Sequence, residues 1–269
     1  MAELVLDADN ALYYDYTAPA AGGVTFVFFN ALTGSSDLWL QLAPALTEHG
    51  HGVLAWNLRG QQGSRCDDQA QLNDQLISAD ARRLLDELHP PRPVLVGLSI
   101  GGLFAARTAL QSNPQDMAGL VLINTLRRPN ARLDWVNEAA LRCAELGGLE
   151  LVKDLFGPLI FNREWLAENR ASAFQNSSYQ GLTPADGHYR LLNDCRSADW
   201  ALPYEQLTMP TLVLTGLQDN MFLDLDDVAE YTARLPNAHR VDMADAGHML
   251  PLERSQAFIA SLLDFSQSL

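Results

Sequence analysis

LVGLSIGG, residues 95–102, carries one serine with a glycine two places before it and another two places after it. Gly97-Leu98-Ser99-Ile100-Gly101 is either a turn around an activated nucleophile or a glycine-rich loop that happens to hold a polar residue. The bare pattern arises by chance in roughly one chain of this length in ten, so its neighbours decide. Val94–Leu98 is a short apolar run of β-formers, and Ile100–Leu110 reads as a helix. A serine at the point where a buried strand hands over to a helix sits on a tight turn that lifts its hydroxyl clear of the sheet. A β-carbon at Gly97 or Gly101 would collide across that turn, and Gly102 lets the helix pack closely. The helix aims its N-terminus at the hydroxyl, which puts the Ile100 N–H where an oxyanion would form.

On either side of this stretch, strand and helix alternate. Leu4–Leu6 and Leu12–Tyr16 predict a β-hairpin. VTFVFF (24–29), VLAW (53–56) and Leu120–Asn124 predict further buried strands, with helices at Trp39–Thr47 and Leu72–Leu88. That order is the mark of a parallel sheet with right-handed crossovers. It breaks over residues 128–205, where Leu141, Leu146, Leu149 and Leu155 keep helical spacing and no strand is evident. It resumes with TLVLTG (211–216), a helix near Asp226–Leu235, a strand at His239–Met243 and a last helix from Pro251 to Leu263. The expectation is an α/β core made of residues 1–127 and 206–269, with a helical cap inserted at 128–205.

A serine hydroxyl is a poor nucleophile until a base takes its proton. Of six histidines, His49, His51, His89 and His239 fall at element ends, and His188 lies in the insert. His248 differs: ADAGHMLPLE (244–253) is a loop between the last strand and the last helix, at the sheet edge where open α/β sheets form their crevice. The base in turn needs a carboxylate to fix its tautomer. Asp219 lies just past the strand that ends near Gly216, whereas Asp224, Asp226 and Asp227 read as the cap and first turn of the next helix. Asp242 and Asp245 lie on the wrong strand. The resulting order, Ser99, Asp219, His248, is serine, acid, histidine.

With these residues in place the chain resembles the α/β-hydrolase superfamily over essentially its whole length, best in 24–124 and 211–265. FFNALTGSSDLW (28–39), GLSIGGL (97–103) and Asn124-Thr125 followed by Arg128 and Trp135 are similar to the 3-oxoadipate enol-lactonases, which carry an Asn-Ser-Leu-Gly-Thr type of sequence where this chain has Asn30-Ala31-Leu32-Thr33-Gly34. The resemblance implies a mostly parallel eight-stranded sheet and a second oxyanion donor, the backbone N–H of Leu32. There are departures. Asn57-Leu58-Arg59-Gly60-Gln61-Gln62-Gly63-Ser64 has Asn where relatives have Asp and a displaced glycine, and Met-Leu-Pro follows His248. Where relatives pair His with Asp, Asn30 and Asn57 are expected to face each other as two neutral amides.

The expected chemistry is cleavage of a small-molecule carboxylic ester or lactone through an acyl-enzyme. Ser99 acts as nucleophile, His248 as base and Asp219 as its orienter, with the Leu32 and Ile100 N–H groups forming the oxyanion hole. Asn30, Arg128 and Trp135 are the expected substrate contacts. Arg127 or Arg128 would suit a substrate carboxylate, since Arg binds one bidentately; the alternative is a salt bridge at the start of the cap. Trp135, Trp165 and Trp200 either pack the cap or line an apolar pocket. Two rival functions share the scaffold: an acyltransferase or thioesterase, and a non-catalytic ligand receptor. A haloalkane dehalogenase would need an aspartate at position 99.

Composition narrows the partners. A net charge of −15 disfavours nucleic acid and anionic membrane surfaces, both of which need clustered Lys and Arg. Cys66, Cys143 and Cys195 form no CxxC and read as reduced thiols, which with an acidic N-terminus lacking an apolar core predicts a cytoplasmic protein. No apolar run approaches the ~18 residues a membrane span needs. The sequon Asn176-Ser177-Ser178 then reads as coincidence. Neither a metal-ligand cluster nor a dinucleotide fingerprint is evident, so no metal and no cofactor are expected.

Overall fold

Phe26 and Phe28 face one side of a sheet while Val27 and Phe29 face the other, and all four are buried. That alternation on an apolar run is what a strand covered on both faces requires. The computed structural model describes residues 2–113, 116–126, 128–173 and 178–269. Arg127 and the Asn176 sequon lie outside the described residues.

The strands are β1 (Ala2–Val5), β2 (Ala11–Thr17), β3 (Thr25–Phe29), β4 (Gly52–Trp56), β5 (Pro93–Leu98), β6 (Gly119–Ile123), β7 (Thr211–Gly216) and β8 (Ala238–Met243). They form one eight-stranded sheet in the order β1-β2-β4-β3-β5-β6-β7-β8. Only the β1–β2 and β2–β4 pairings are antiparallel; from β4 to β8 every neighbour is parallel. The sheet is thus mostly parallel, and the first two strands are the expected hairpin.

Helices cover both faces. Helices α1 (Asp37–Thr47) and, at the chain's end, α9 (Ser255–Gln267) pack Trp39, Leu46, Phe258 and Leu262 against Phe26, Phe28, Val96 and Val121. On the other face α2 (Asp74–Leu88), α3 (Ile100–Gln111) and α7 (Leu225–Arg234) bury Leu84, Phe104 and Tyr231 against Val27, Leu95 and Leu122. Trp39 stacks on Phe28 with ring centres 4.6 Å apart. Each such aromatic contributes about 1.5–3 kcal/mol of burial, so truncating one side chain removes a sizeable part of the fold's net stability.

Helix starts follow their caps. Asp224 accepts the Asp227 N–H for α7, as the sequence predicts; Asn73 accepts the Leu76 N–H for α2, which therefore starts at Asp74, two residues after the expected Leu72. The last helix departs from expectation. A single turn, α8 (Leu250–Glu253), ends at Arg254, whose φ of −135° and ψ of 51° are non-helical, before α9 begins.

Between β6 and β7 the chain runs through α4 (Ala131–Ile160), α5 (Arg163–Asn169) and α6 (Gly187–Asp194). Helix α4 is broken at Gly148, with φ 68° and ψ −166°; a β-carbon there would lie 2.3 Å from the Gln180 carbonyl oxygen, so only glycine fits. Helix α6 is fastened to the loop after β4. The Leu72 N–H donates to Asp194 at 2.8 Å, and Arg190 donates to the carbonyls of Asp67 and Ala70. No helix among the described residues is long and apolar enough to cross a membrane.

Candidate active site

The chain order of β3, β4 and β5 reverses direction across the sheet, and Ser99 sits just past the C-terminal end of β5 at that reversal. Ser99 has φ 58° and ψ −125°, a conformation of order 1–3 kcal/mol above the ordinary wells for a non-glycine residue. It is held there: its N–H donates to Ile123 O at 2.8 Å, and its carbonyl accepts from the Gly102 N–H and the Thr125 hydroxyl. The neighbouring glycines are sterically required. A β-carbon at Gly97 would meet Gly101 O at 2.3 Å, and one at Gly101 would meet Phe29 O at 2.4 Å. Ile100 opens α3, so its N–H has no carbonyl to meet inside the helix.

Asp219 and His248 arrive from the ends of β7 and β8. His248 Nδ1 lies 2.6 Å from Asp219 Oδ2, and both side chains are almost wholly buried. The other carboxylate oxygen accepts the N–H groups of Met221 and Phe222, each at 2.9 Å. Burial works to raise the Asp219 carboxyl, but the adjacent imidazole and these two N–H groups outweigh it and hold it below the ordinary aspartate value. The carboxylate is therefore charged at neutral pH and aimed at Nδ1, a pairing that puts the ring proton on Nδ1 and the lone pair on Nε2. Phe222 packs its ring 4.7 Å from the imidazole. Ser99 and His248 line one cavity of about 430 Å³, together with Leu32 and Ile100. Among the described residues no hydrogen bond joins Ser99 Oγ to His248, a contact that commonly tightens when substrate binds.

The His248 loop is anchored by groups that sequence reasoning did not identify. The Asn124 amide donates to the carbonyls of Gly247 and His248 at 3.1 and 2.8 Å and accepts the Gly216 N–H, so it ties β6, β7 and the loop together. The His248 N–H donates to Ile160 O at 2.6 Å. Glu253 Oε2 accepts the N–H groups of Gly247 and Asn162, both at 2.8 Å, while Oε1 has no partner among the described residues. Burial pushes the Glu253 carboxyl up, against the pull of these N–H groups. Asn124 reaches partners 92 to 124 residues away, and Glu253 joins Gly247 to Asn162, 91 residues from it, so no local pattern announced these links.

Asn30 and Asn57 face each other, as expected: Asn30 Nδ2 donates to Asn57 Oδ1 at 3.0 Å. Asn30 is not placed in the cavity, however. Its amide also donates to Trp56 O and Gln61 Oε1, and its oxygen accepts Trp39 Nε1 at 2.6 Å. These bonds fill its capacity inside the protein. Gln61 completes the cluster by donating Nε2 to the carbonyls of Ala31 and Leu32 at 2.9 and 3.3 Å, bracing the loop that presents the Leu32 N–H. In the sequence Gln61 registers only as a departure from the glycine pattern.

Two other expected substrate contacts also lie elsewhere. Arg128 pairs with Asp227 at 3.2 Å and Glu230 at 3.1 Å, which is the salt-bridge alternative. Trp135 is 80% exposed, because α4 turns Leu133, Val136 and Asn137 to the cavity and leaves position 135 on its outer side. Trp165 stacks on Phe161 with centres 3.8 Å apart, and Trp200 lines the cavity. Burial pushes the His188 imidazole down, and His188 lies away from the cavity lining. Among the described residues no cluster of three or more His, Cys, Asp or Glu side chains could hold a metal ion.

The chain is 26% identical over 256 residues to the proposed carbamate hydrolase RutD of Variovorax paradoxus, covering 94% of this chain and 95% of that one. Among solved structures, an α/β-hydrolase enzyme from a Medee basin deep-sea metagenome library superposes with a TM-score of 0.83 at 18% identity, covering 97% of this chain and 96% of that one. The enol-lactonase of Burkholderia xenovorans gives a TM-score of 0.76 at 23% identity, covering 95% and 96%. Residues 24–255 match the family described as the alpha/beta hydrolase fold. The chain belongs to the α/β-hydrolase family.

Proposed function

We propose that the protein is a serine hydrolase of carboxylic esters or lactones. The observation that carries the reading is the strained Ser99 turn opening into the same cavity as an imidazole held by a buried carboxylate. Ser99 Oγ attacks the carbonyl carbon as its proton passes to His248 Nε2. The carbonyl oxygen becomes an oxyanion facing the N–H groups of Leu32 and Ile100, neither of which donates to a protein acceptor among the described residues. His248 returns the proton to the leaving oxygen, and an acyl-Ser99 ester remains. A water molecule, deprotonated by His248, then releases the acid and restores the hydroxyl. Asp219 stays ionised throughout and stabilises the imidazolium. The helical segment between β6 and β7 acts as the cap, since Leu133, Val136, Phe156 and Trp200 form much of the cavity wall.

The test is turnover of a p-nitrophenyl ester, a lactone and a pantetheine thioester sharing one acyl group, by wild type and by Ser99→Ala. Turnover is expected on the oxygen esters and is expected to vanish with Ser99→Ala. A thioester preferred over both oxygen esters would move the assignment to a thioesterase, and turnover that survives Ser99→Ala would remove the nucleophile.

A further inference from the structure

The wall of the cavity that holds Ser99 is built from aliphatic and aromatic side chains, Leu133, Val136, Phe156, Phe161, Trp200 and Met221 among them. Its charged lining groups are Glu150, Lys153 and Arg196, and each is more than a third exposed. Each also has a partner. Lys153 Nζ pairs with Glu150, and Arg196 pairs with Glu138 at 2.7 Å while donating to Asn193 Oδ1 at 2.7 Å. Arg128, the residue the sequence offers for a substrate carboxylate, pairs with Asp227 and Glu230 outside the lining. A substrate carboxylate would have to share Lys153 with Glu150 or Arg196 with Glu138, or displace that partner, at an exposed rim and not within the apolar wall. It would do so in a chain of net charge −15, with Asp219 already ionised behind His248.

From this lining we infer that the site takes a neutral, apolar acyl group and discriminates against acyl chains that end in a carboxylate. The inference rests on the acyl-transfer reading of Ser99 and specifies its substrate class. The cavity volume of about 430 Å³ falls within the roughly 300–1,000 Å³ of small-molecule sites. A methylene that enters such a wall improves transition-state binding by up to about fourfold. A carboxylate buried against the apolar wall costs far more than that, because the two cations of the lining, Lys153 and Arg196, are exposed and already paired with Glu150 and Glu138.

The experiment compares kcat/KM for p-nitrophenyl butyrate, hexanoate and octanoate, and for a shape-matched pair, mono-p-nitrophenyl adipate and p-nitrophenyl 6-methylheptanoate. Labelling by a fluorophosphonate is run in parallel on wild type and Ser99→Ala. The rate is expected to climb by up to about fourfold per methylene until the cavity is full. The adipate half-ester is expected to react at least about 100-fold more slowly than its neutral isostere. A smaller ratio, or no rise with chain length, while Ser99-dependent labelling persists, overturns the inference and leaves the serine-hydrolase reading standing. If neither labelling nor turnover depends on Ser99, that reading is removed and the substrate class falls with it.

Discussion

Asparagine at position 219 keeps the shape of the acid and changes one donor pattern. Oδ1 of Asp219 accepts two backbone N–H groups, from Met221 and Phe222, so Asp219→Asn must keep its carbonyl oxygen there. The reverse orientation would set an NH2 against two buried N–H donors, at about 1–3 kcal/mol for each group left unsatisfied. In the favoured orientation the new NH2 faces His248 Nδ1, the atom that lies 2.6 Å from Oδ2 in the wild type. An amide NH2 donates, so Nδ1 must accept, and the ring proton moves to Nε2. Nε2 then has no lone pair for the Ser99 proton.

The expected loss is about 10⁴-fold in kcat, equivalent to roughly 5.5 kcal/mol of transition-state stabilisation. Asp219 does not line the cavity, so KM should move little. Ester turnover by the two proteins near neutral pH, resolved into kcat and KM, measures this, with a urea midpoint to show that the variant is folded. A folded variant that loses less than tenfold in kcat would mean the Asp219–His248 pair is a structural contact. The proposed base would then have to be found elsewhere.

Two further outcomes follow from the anchors of the loops. The native Glu253 carboxyl is raised above its unfolded value of about 4.5, so the folded state holds that proton more tightly than the unfolded chain does. Its contribution is complete below the unfolded value and is lost as pH rises through the native one. Wild type should therefore gain stability relative to Glu253→Gln as pH falls from neutral toward 4.5, read as paired urea midpoints; a wild type that weakens faster than the variant contradicts the sign. Gln61→Leu removes the donors to Ala31 and Leu32 and the acceptor for Asn30 and the Leu58 N–H. Each orphaned group should cost about 1–3 kcal/mol of stability. On a shared ester kcat should fall about tenfold or more while KM holds, because the braced loop meets the oxyanion only in the transition state. A change confined to KM would place the loop in ground-state binding instead.

How far the sequence could be read depends on the range of the interaction concerned. Buried parallel strands such as Thr25–Phe29 and Thr211–Gly216 are written as unbroken β-former runs, because both faces must be apolar. Ser99 stands out because its turn needs glycine on both sides, and Asp219 and His248 because strand ends put them at one sheet edge. The orientation of Trp135 could not be read in the same way. A helix beginning at Ala131 gives several positions equal claim to the inner face, and only tertiary packing chose Leu133 and Val136. Arg128 is similarly ambiguous, since its partners Asp227 and Glu230 lie on α7, about a hundred residues further along. The break at Arg254 escaped because 251–263 is apolar at helical spacing on both sides of it.

Long-range contacts also keep the insert from being an independent lid. Its first half, before the kink at Gly148, offers Leu133, Val136 and Ala140 to the cavity. Its second half offers Val152, Phe156 and Ile160, but it also holds the loops that carry Asp219 and His248. Leu159 O accepts the Asn220 N–H next to Asp219, Ile160 O accepts the His248 N–H, and the Asn162 N–H shares Glu253 with Gly247. A shift of the 159–162 backbone therefore moves the cavity wall and the Asp219–His248 pair together. A shift before Gly148 can reshape the wall without that consequence, because the positive-φ glycine interrupts the helical hydrogen bonding that would transmit it. The shape of the cavity wall is free to vary on one side of the kink and is bound to the Asp219–His248 geometry on the other.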